Sequence, residues 1–298
     1  MHLRLPVATA LAFGLALPAA HAGQPGPSAD GIPHSQWNAP QKPFRIYGNV
    51  WYVGPYGLTS LLVDTGQGLA LFDGDLAESA PVIEAHIRQL SFRVRDVKWI
   101  LNSHPHADHA GGIAALQAAT GAQVLTSMAG ARELALGGAD PSDPQFGAMP
   151  YFQPVKQVRV VRDGEVVHLG NVAITAHYTP GHTAGSTSWT WVSCERRRCL
   201  RMAYADSLSA FSAPGYRFTD HPAYVANFRK GIAAVAALPC DILLTPHPDA
   251  SGFWEKVARR KSPTDAAPLI DPQACRDYAA TATQNLDARL AEEHAKAQ

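Results

Sequence analysis

The sequence has no excess of either charge: 25 Lys plus Arg balance 25 Asp plus Glu over 298 residues, and charged side chains make up only 17%. With an isoelectric point near 7.2, this excludes the basic face that nucleic acids or anionic membranes recognise, and points to small neutral or weakly charged ligands. Beyond the N-terminus no run is long and apolar enough to cross a bilayer. No serine stands in a persuasive Ser-x-x-Lys context, so nothing calls for a serine nucleophile of that type. Cysteine is scarce, at four residues. What is abundant is apolar surface, 46% of residues, enough for one large core or two small ones.

The first residues read as a cleaved secretory signal over 1–22. Arg4 supplies the charge, Leu5 to Leu17 the apolar stretch, and Ala20-His21-Ala22 the small-x-small site before Gly23. Pro6 and Pro18 and the shortness of the run argue against a membrane span. Export favours disulfides. Three pairings are possible, and loop geometry favours Cys194–Cys199 across the tip Glu195-Arg196-Arg197-Arg198, with Cys240–Cys275 tying a strand to the C-terminal helix.

Residues 23–43 form a Gly-, Pro- and Ser-rich arm with Trp37 as its anchor. Strands are expected at Arg45–Val53, Leu58–Asp64 and Leu69–Phe72 as a meander, then a helix from Ser79 to Leu90 with Val82, Ile83, Ile87 and Leu90 on one face. Further along come a helix at Gly112–Ala119, a strand at Gln123–Thr126 and a helix at Ala129–Leu136. The proline-rich loop Asp140–Pro154 carries Phe146, Tyr151 and Phe152; it reads equally as a cover over a binding site or as surface packing. Strands Gln157–Val161 and Glu165–His168 are expected to pair across Asp163-Gly164, followed by Val172–Tyr178 and a hairpin of Ser186–Val192 with Leu200–Ala205. A helix Tyr224–Leu238, a strand Asp241–Leu244 and a helix Pro272–Ala295 complete the chain. This order points to two sheets between helical layers, and no linker divides residues 23–298, which read as a single domain.

One stretch concentrates chemistry. The apolar strand from Val97 runs into Ser103-His104-Pro105-His106-Ala107-Asp108-His109, and Ala110-Gly111-Gly112 then allows a sharp turn into a helix. Two other apolar strands also end in histidine-bearing loops, at His182 and at His247. Imidazole and carboxylate at this spacing suit zinc. His104 and His106, two apart in extended backbone, share one side, so with His182 they make a three-histidine site with a fourth position open. Asp108 and His109 point elsewhere and with His247 make a second site. The remaining histidines read as bystanders: His34, His86 and His294 solvated, and His168 and His177 hydrogen-bonded in strands. His221 has no assignment.

His104-x-His106-x-Asp108-His109 with His182 and His247 at strand ends resembles the metallo-β-lactamase superfamily. The detail is similar to the subclass B3 zinc β-lactamases: Ser207 and Ser209 in Asp206-Ser207-Leu208-Ser209, no cysteine among the ligands, Thr245-Pro246-His247-Pro248, the Trp-bearing arm and a Cys240–Cys275 pair. The resemblance implies an α/β (α+β) four-layer αββα sandwich, the metallo-β-lactamase fold, holding two zinc ions per chain. It implies hydrolysis of penicillins, cephalosporins and carbapenems by a zinc-bound hydroxide that Asp108 orients, with Ser207 and Ser209 on the substrate carboxylate or a nearby water. The small-molecule β-lactam is the expected partner of a periplasmic monomer that confers antibiotic resistance, with no nucleic acid and no membrane span in the mature form. Two rivals remain: a thioesterase or lactonase resembling glyoxalase II, in which Asp206 would bridge the metals, and an exported zinc-binding protein without turnover.

Overall fold

The structure is a computed structural model that describes residues 34–296. The expected signal and the first part of the arm lie outside the described residues. A short helix α1 (His34–Trp37) leads into seven strands: β1 (Phe44–Tyr47), β2 (Val50–Tyr52), β3 (Leu61–Asp64), β4 (Leu69–Phe72), β5 (Val97–Leu101), β6 (Gln123–Thr126) and β7 (Val158–Val160). They lie side by side in chain order as one sheet. The first four pair antiparallel; from β4 onward neighbours are parallel. Parallel pairing needs crossovers, which are supplied by α2 (Ala80–Gln89), by α3 (Ala107–Ala110) with α4 (Ile113–Thr120), and by α5 (Met128–Ala135).

The second sheet contains β8 (Val166–Leu169), β9 (Val172–Tyr178), β10 (Thr187–Glu195), β11 (Arg198–Tyr204) and β12 (Ile242–Leu244), in spatial order β12-β11-β10-β9-β8. Helices α6 (Pro222–Ala236), α7 (Phe253–Ala258) and α8 (Ala274–Ala295) complete the chain. Alternation along each strand sorts side chains between faces. Leu61, Val63 and Phe72 of the first sheet meet Trp189, Trp191 and Met202 of the second. Leu62, Leu71 and Ile100 point the other way, onto Ile83 and Ile87 of α2 and Leu116 of α4. On the far side, Ala203 and Leu243 pack on Phe228 and Val235 of α6 and on Ala279 and Leu286 of α8. The result is the expected four-layer αββα sandwich.

Two expectations need correction. Arg45–Val53 is not one strand: Gly48, with φ +53°, turns the chain so that β1 and β2 pair with each other. A side chain there would also strike Ser193 Oγ, 2.5 Å from the position of a Cβ. The Asp163-Gly164 turn exists, with Gly164 at φ +74°, but it joins no hairpin. β7 pairs with β6 in the first sheet and β8 with β9 in the second, so the turn carries the chain between layers. Turn residues set a local reversal; the strand's partner is set by which core receives it, and buried Val161 belongs to the inter-sheet core. Both expected disulfides form, Cys194–Cys199 at opposed positions of the β10–β11 hairpin and Cys240–Cys275 between the start of β12 and α8. Among the described residues, no helix is long and apolar enough to cross a membrane.

Candidate metal centre

Both sheets end at one rim, where a buried aspartate organises the motif loop. Asp73, just past β4, accepts hydrogen bonds from Ser103 N (2.7 Å), Ser103 Oγ (2.6 Å), Asn102 Nδ2 (3.0 Å) and Tyr204 Oη (2.7 Å). Burial raises its carboxyl to about 7 even against these donors. Asn102 Nδ2 also donates to His104 O (2.8 Å), so the start of the loop is held by side chains from both sheets. Gly111 and Gly112 form the expected turn between α3 and α4, although not by virtue of unusual dihedrals. Their φ values, −56° and −84°, suit any residue. Glycine is needed because the Gly74–Ala77 backbone passes against them: a Cβ on Gly112 would lie 2.2 Å from Gly74 O.

The loop delivers His104 and His106 beside His182, with ligand atoms of the three within 4.8 Å of one another and all three residues buried. Each ring is gripped at its outer nitrogen. His104 Nδ1 lies 2.7 Å from Asp206 Oδ1, His106 Nε2 lies 3.0 Å from Asp143 Oδ2, and His182 Nδ1 lies 3.0 Å from both the carbonyl and the hydroxyl of Ser209. These contacts turn His104 Nε2, His106 Nδ1 and His182 Nε2 toward one another. Burial, and then the neighbouring imidazoles, hold His104 and His182 well below the usual histidine range, so both present lone pairs. Burial pulls His106 down as well, but the charge and hydrogen bond of Asp143 outweigh it and raise the group to about 9.

Next to this trio, Asp108 Oδ2 lies 3.1 Å from His109 Nε2 and 3.3 Å from His247 Nε2, and the two nitrogens are 3.1 Å apart. Donors bound at about 2.0–2.1 Å to one tetrahedral ion lie about 3.3 Å from each other, so the spacing fits a shared cation. Buried polar atoms left without a partner give the same indication: His104 Nε2 and Asp108 Oδ1 have none among the described residues, where proteins normally satisfy such groups. Burial opposes ionisation of Asp108, yet His109 and His247 together hold it well below the usual carboxylate range. The two groups adjoin, with the His104 and His109 rings 4.4 Å apart.

The clusters floor a cavity of about 330 Å³ whose walls include Trp37, Tyr56, Met149, Ser207, Ser209 and Phe211; among the described residues neither lysine nor arginine lines it. Trp37 is buried as expected, its ring 5.4 Å from that of His247, so the arm forms part of the wall. Two donor groups are close enough to share an ion, His104–His106–His182 and His104–Asp108–His109, and Asp206 belongs to neither. His177 bonds Thr190 Oγ1 (2.8 Å) as a structural residue, whereas His86, expected to be solvated, is half-buried with Nδ1 2.8 Å from Val53 O. His221 stacks on Tyr216. Asp73, Asp143 and Gln145 were not singled out from the sequence. Asp143 and Gln145 lie in the Asp140–Pro154 loop, and the Gln145 amide comes within 3.4 Å of His182 Nε2, so the covering role is the one this loop takes.

Behind His106, on α5, Glu133 is buried, and burial followed by the charge of Asp143 raises its carboxyl from 4.5 to about 8. A folded-state value above the unfolded one means the folded protein holds that proton more tightly. The contribution of Glu133 to stability is therefore fully present below about pH 4.5 and is lost as pH rises toward 8, by up to about 1.4 kcal/mol per unit. Glu133→Gln removes this dependence. Its thermal midpoint should exceed that of the wild type by a margin that widens from pH 5 to pH 8; a margin independent of pH contradicts the assignment.

The model of the metallo-beta-lactamase superfamily matches residues 45–195, and the chain belongs to that superfamily. Within it, the chain is similar to enzymes of subclass B3. MEM-A1, a subclass B3 metallo-beta-lactamase from a soil metagenome library, is 50% identical with a TM-score of 0.84 over 87% of this chain and 99% of its own. SMB-1, solved with 2-mercaptoethanesulfonate, is 46% identical with a TM-score of 0.84 over 86% and 99%. MIM-1 from Novosphingobium pentaromativorans is 44% identical with a TM-score of 0.85 over 91% and 98%. Hydroxyacylglutathione hydrolase of Anaeromyxobacter dehalogenans is 33% identical over 138 residues, which span 46% of this chain and 43% of that relative. The chain thus spans less than half the length of this curated relative.

Proposed function

We propose that the protein is an exported zinc β-lactamase that opens the β-lactam amide of penicillins, cephalosporins and carbapenems, and so confers antibiotic resistance. In this reading His104, His106 and His182 hold one zinc, and Asp108, His109 and His247 a second. The observation that carries it is the pair of adjoining donor clusters on the floor of one cavity, in a chain 50% identical to a subclass B3 enzyme. Bound there, zinc supplies Lewis acidity that brings the pKa of a water toward about 7 and polarises a carbonyl oxygen.

The chain's own groups do the positioning. Asp108 engages His109 and His247 through Oδ2, and its Oδ1, with no protein partner, accepts a hydrogen bond from the attacking water and orients it. The water oxygen bonds to the amide carbon, the ring C–N bond breaks and a proton reaches the departing nitrogen. With no lysine or arginine on the cavity wall among the described residues, the substrate carboxylate depends on Ser207 and Ser209. The Ser209 hydroxyl can accept from His182 Nδ1 and still donate its own hydrogen to substrate.

The rival thioesterase reading draws on the similarity to hydroxyacylglutathione hydrolases. It needs Asp206 as a bridging ligand, and the contact of Asp206 with the outer nitrogen of His104 favours a positioning role instead. Purified, zinc-loaded protein should turn nitrocefin over and leave a glutathione thioester intact; the reverse pattern assigns the chain to thioester chemistry. The cleaved signal over 1–22, the periplasmic location and the monomeric state belong to the same proposal, and the two disulfides support export.

A further inference from the structure

The three histidines of the first cluster are braced by different kinds of structure. Asp206 and Ser209 follow directly from β11 in the second sheet. Asp143 instead belongs to residues 136–157, a segment of turns and extended chain between α5 and β7. That segment is fastened at a few points. Asp140 Oδ1 accepts from Arg132 Nη2 (2.7 Å), Pro144 O accepts from Ala213 N (2.7 Å), and Gly137 O accepts from Phe152 N (3.0 Å). At its centre Asp143 spans loop and metal cluster: Oδ1 accepts from Gln145 N (2.6 Å) while Oδ2 lies 3.0 Å from His106 Nε2. Both members of this last pair are nearly inaccessible to solvent, at 6% and 7% side-chain exposure. The same loop supplies Gln145 and Met149 to the cavity wall.

From this geometry we infer that Asp143 is a positioning residue that couples the order of the cavity-covering loop to zinc affinity at the His104–His106–His182 cluster. Its carboxylate engages His106 at Nε2 and so aims Nδ1 at the cluster, fixing both tautomer and ring orientation. Coupling between two equilibria is reciprocal. A loop that preorganises His106 tightens zinc binding, and bound zinc orders the loop. Metal occupancy thus sets the shape of the substrate wall as well as the chemistry below it. The inference rests on the reading of His106 as a ligand.

The test is a competitive zinc titration against a chromophoric chelator, with hydrogen–deuterium exchange of residues 139–150 followed with and without zinc. Asp143→Ala should weaken zinc binding at one site about 10–100-fold. In the wild type, zinc should slow exchange in the loop; in Asp143→Ala it should not. Asp143→Asn keeps an acceptor oxygen but loses the charge, and should fall between wild type and alanine; it carries the test alone if the alanine variant does not fold. Unchanged zinc affinity in the variants, or wild-type loop exchange indifferent to zinc, overturns the coupling. His106→Ala separates the two levels. If it loses one zinc while the Asp143 variants bind normally, the coupling fails and the ligand reading stands; if it keeps both zinc ions at full affinity, both fail.

Discussion

Asp108→Ala should cost about 10²–10⁴-fold in turnover and remove the second zinc in the same step. The carboxylate is the one acidic donor in its cluster, within 3.3 Å of both His109 Nε2 and His247 Nε2. Without it two imidazoles remain, too few for a site that ordinarily uses three protein ligands. The attacking water also loses the acceptor at Oδ1. Metal analysis and steady-state carbapenem hydrolysis on one preparation check both effects: zinc should fall toward one per chain as activity collapses. Normal hydrolysis with a full metal complement contradicts the assignment of Asp108.

The second large effect lies beneath the site. Asp73→Ala removes an acceptor from four buried donors, at Ser103 N, Ser103 Oγ, Asn102 Nδ2 and Tyr204 Oη, of which Tyr204 Oη alone can turn to a second strong acceptor, Thr59 O at 2.9 Å. Each orphaned buried group costs about 1–3 kcal/mol. The costs do not add in full, because the ionised carboxylate is itself penalised by burial, and about 3–5 kcal/mol is expected. Set against a typical stability of about 5–15 kcal/mol, that is a large share. Because Asn102 also holds the His104 carbonyl, zinc affinity should fall as well. Denaturant unfolding in the presence of chelator isolates the folding cost; a loss under about 1 kcal/mol shows that Asp73 is not the organiser.

What could be read from the sequence follows from how locally each feature is encoded. His104, His106, Asp108 and His109 sit within one short loop, and extended backbone dictates which of them share a side. His182 and His247 stand out because an apolar strand precedes each, and the structure brings them to the same rim. The αββα layering follows from alternating Leu61, Leu62 and Val63, whose side chains face different cores. Asp143 had no such signal. An aspartate in a proline-rich loop looks solvated until the fold places it 3.0 Å from His106. Asp73 gave none either, because its four donors come from Asn102, Ser103 and Tyr204, all far along the chain. The β1–β2 turn was hidden because apolar residues run through both strands, and the destination of β7 depended on tertiary packing that a correct turn at Gly164 does not determine.

Zinc-dependent opening of a β-lactam on the floor of this cavity is the activity on which every role proposed for these residues depends. Hydrolysis of a carbapenem by the purified protein, followed before chelation, after chelation and after zinc is restored, tests this directly. Activity should be present, disappear with the metal and return with it. Hydrolysis indifferent to chelation, or none from fully zinc-loaded protein, contradicts it.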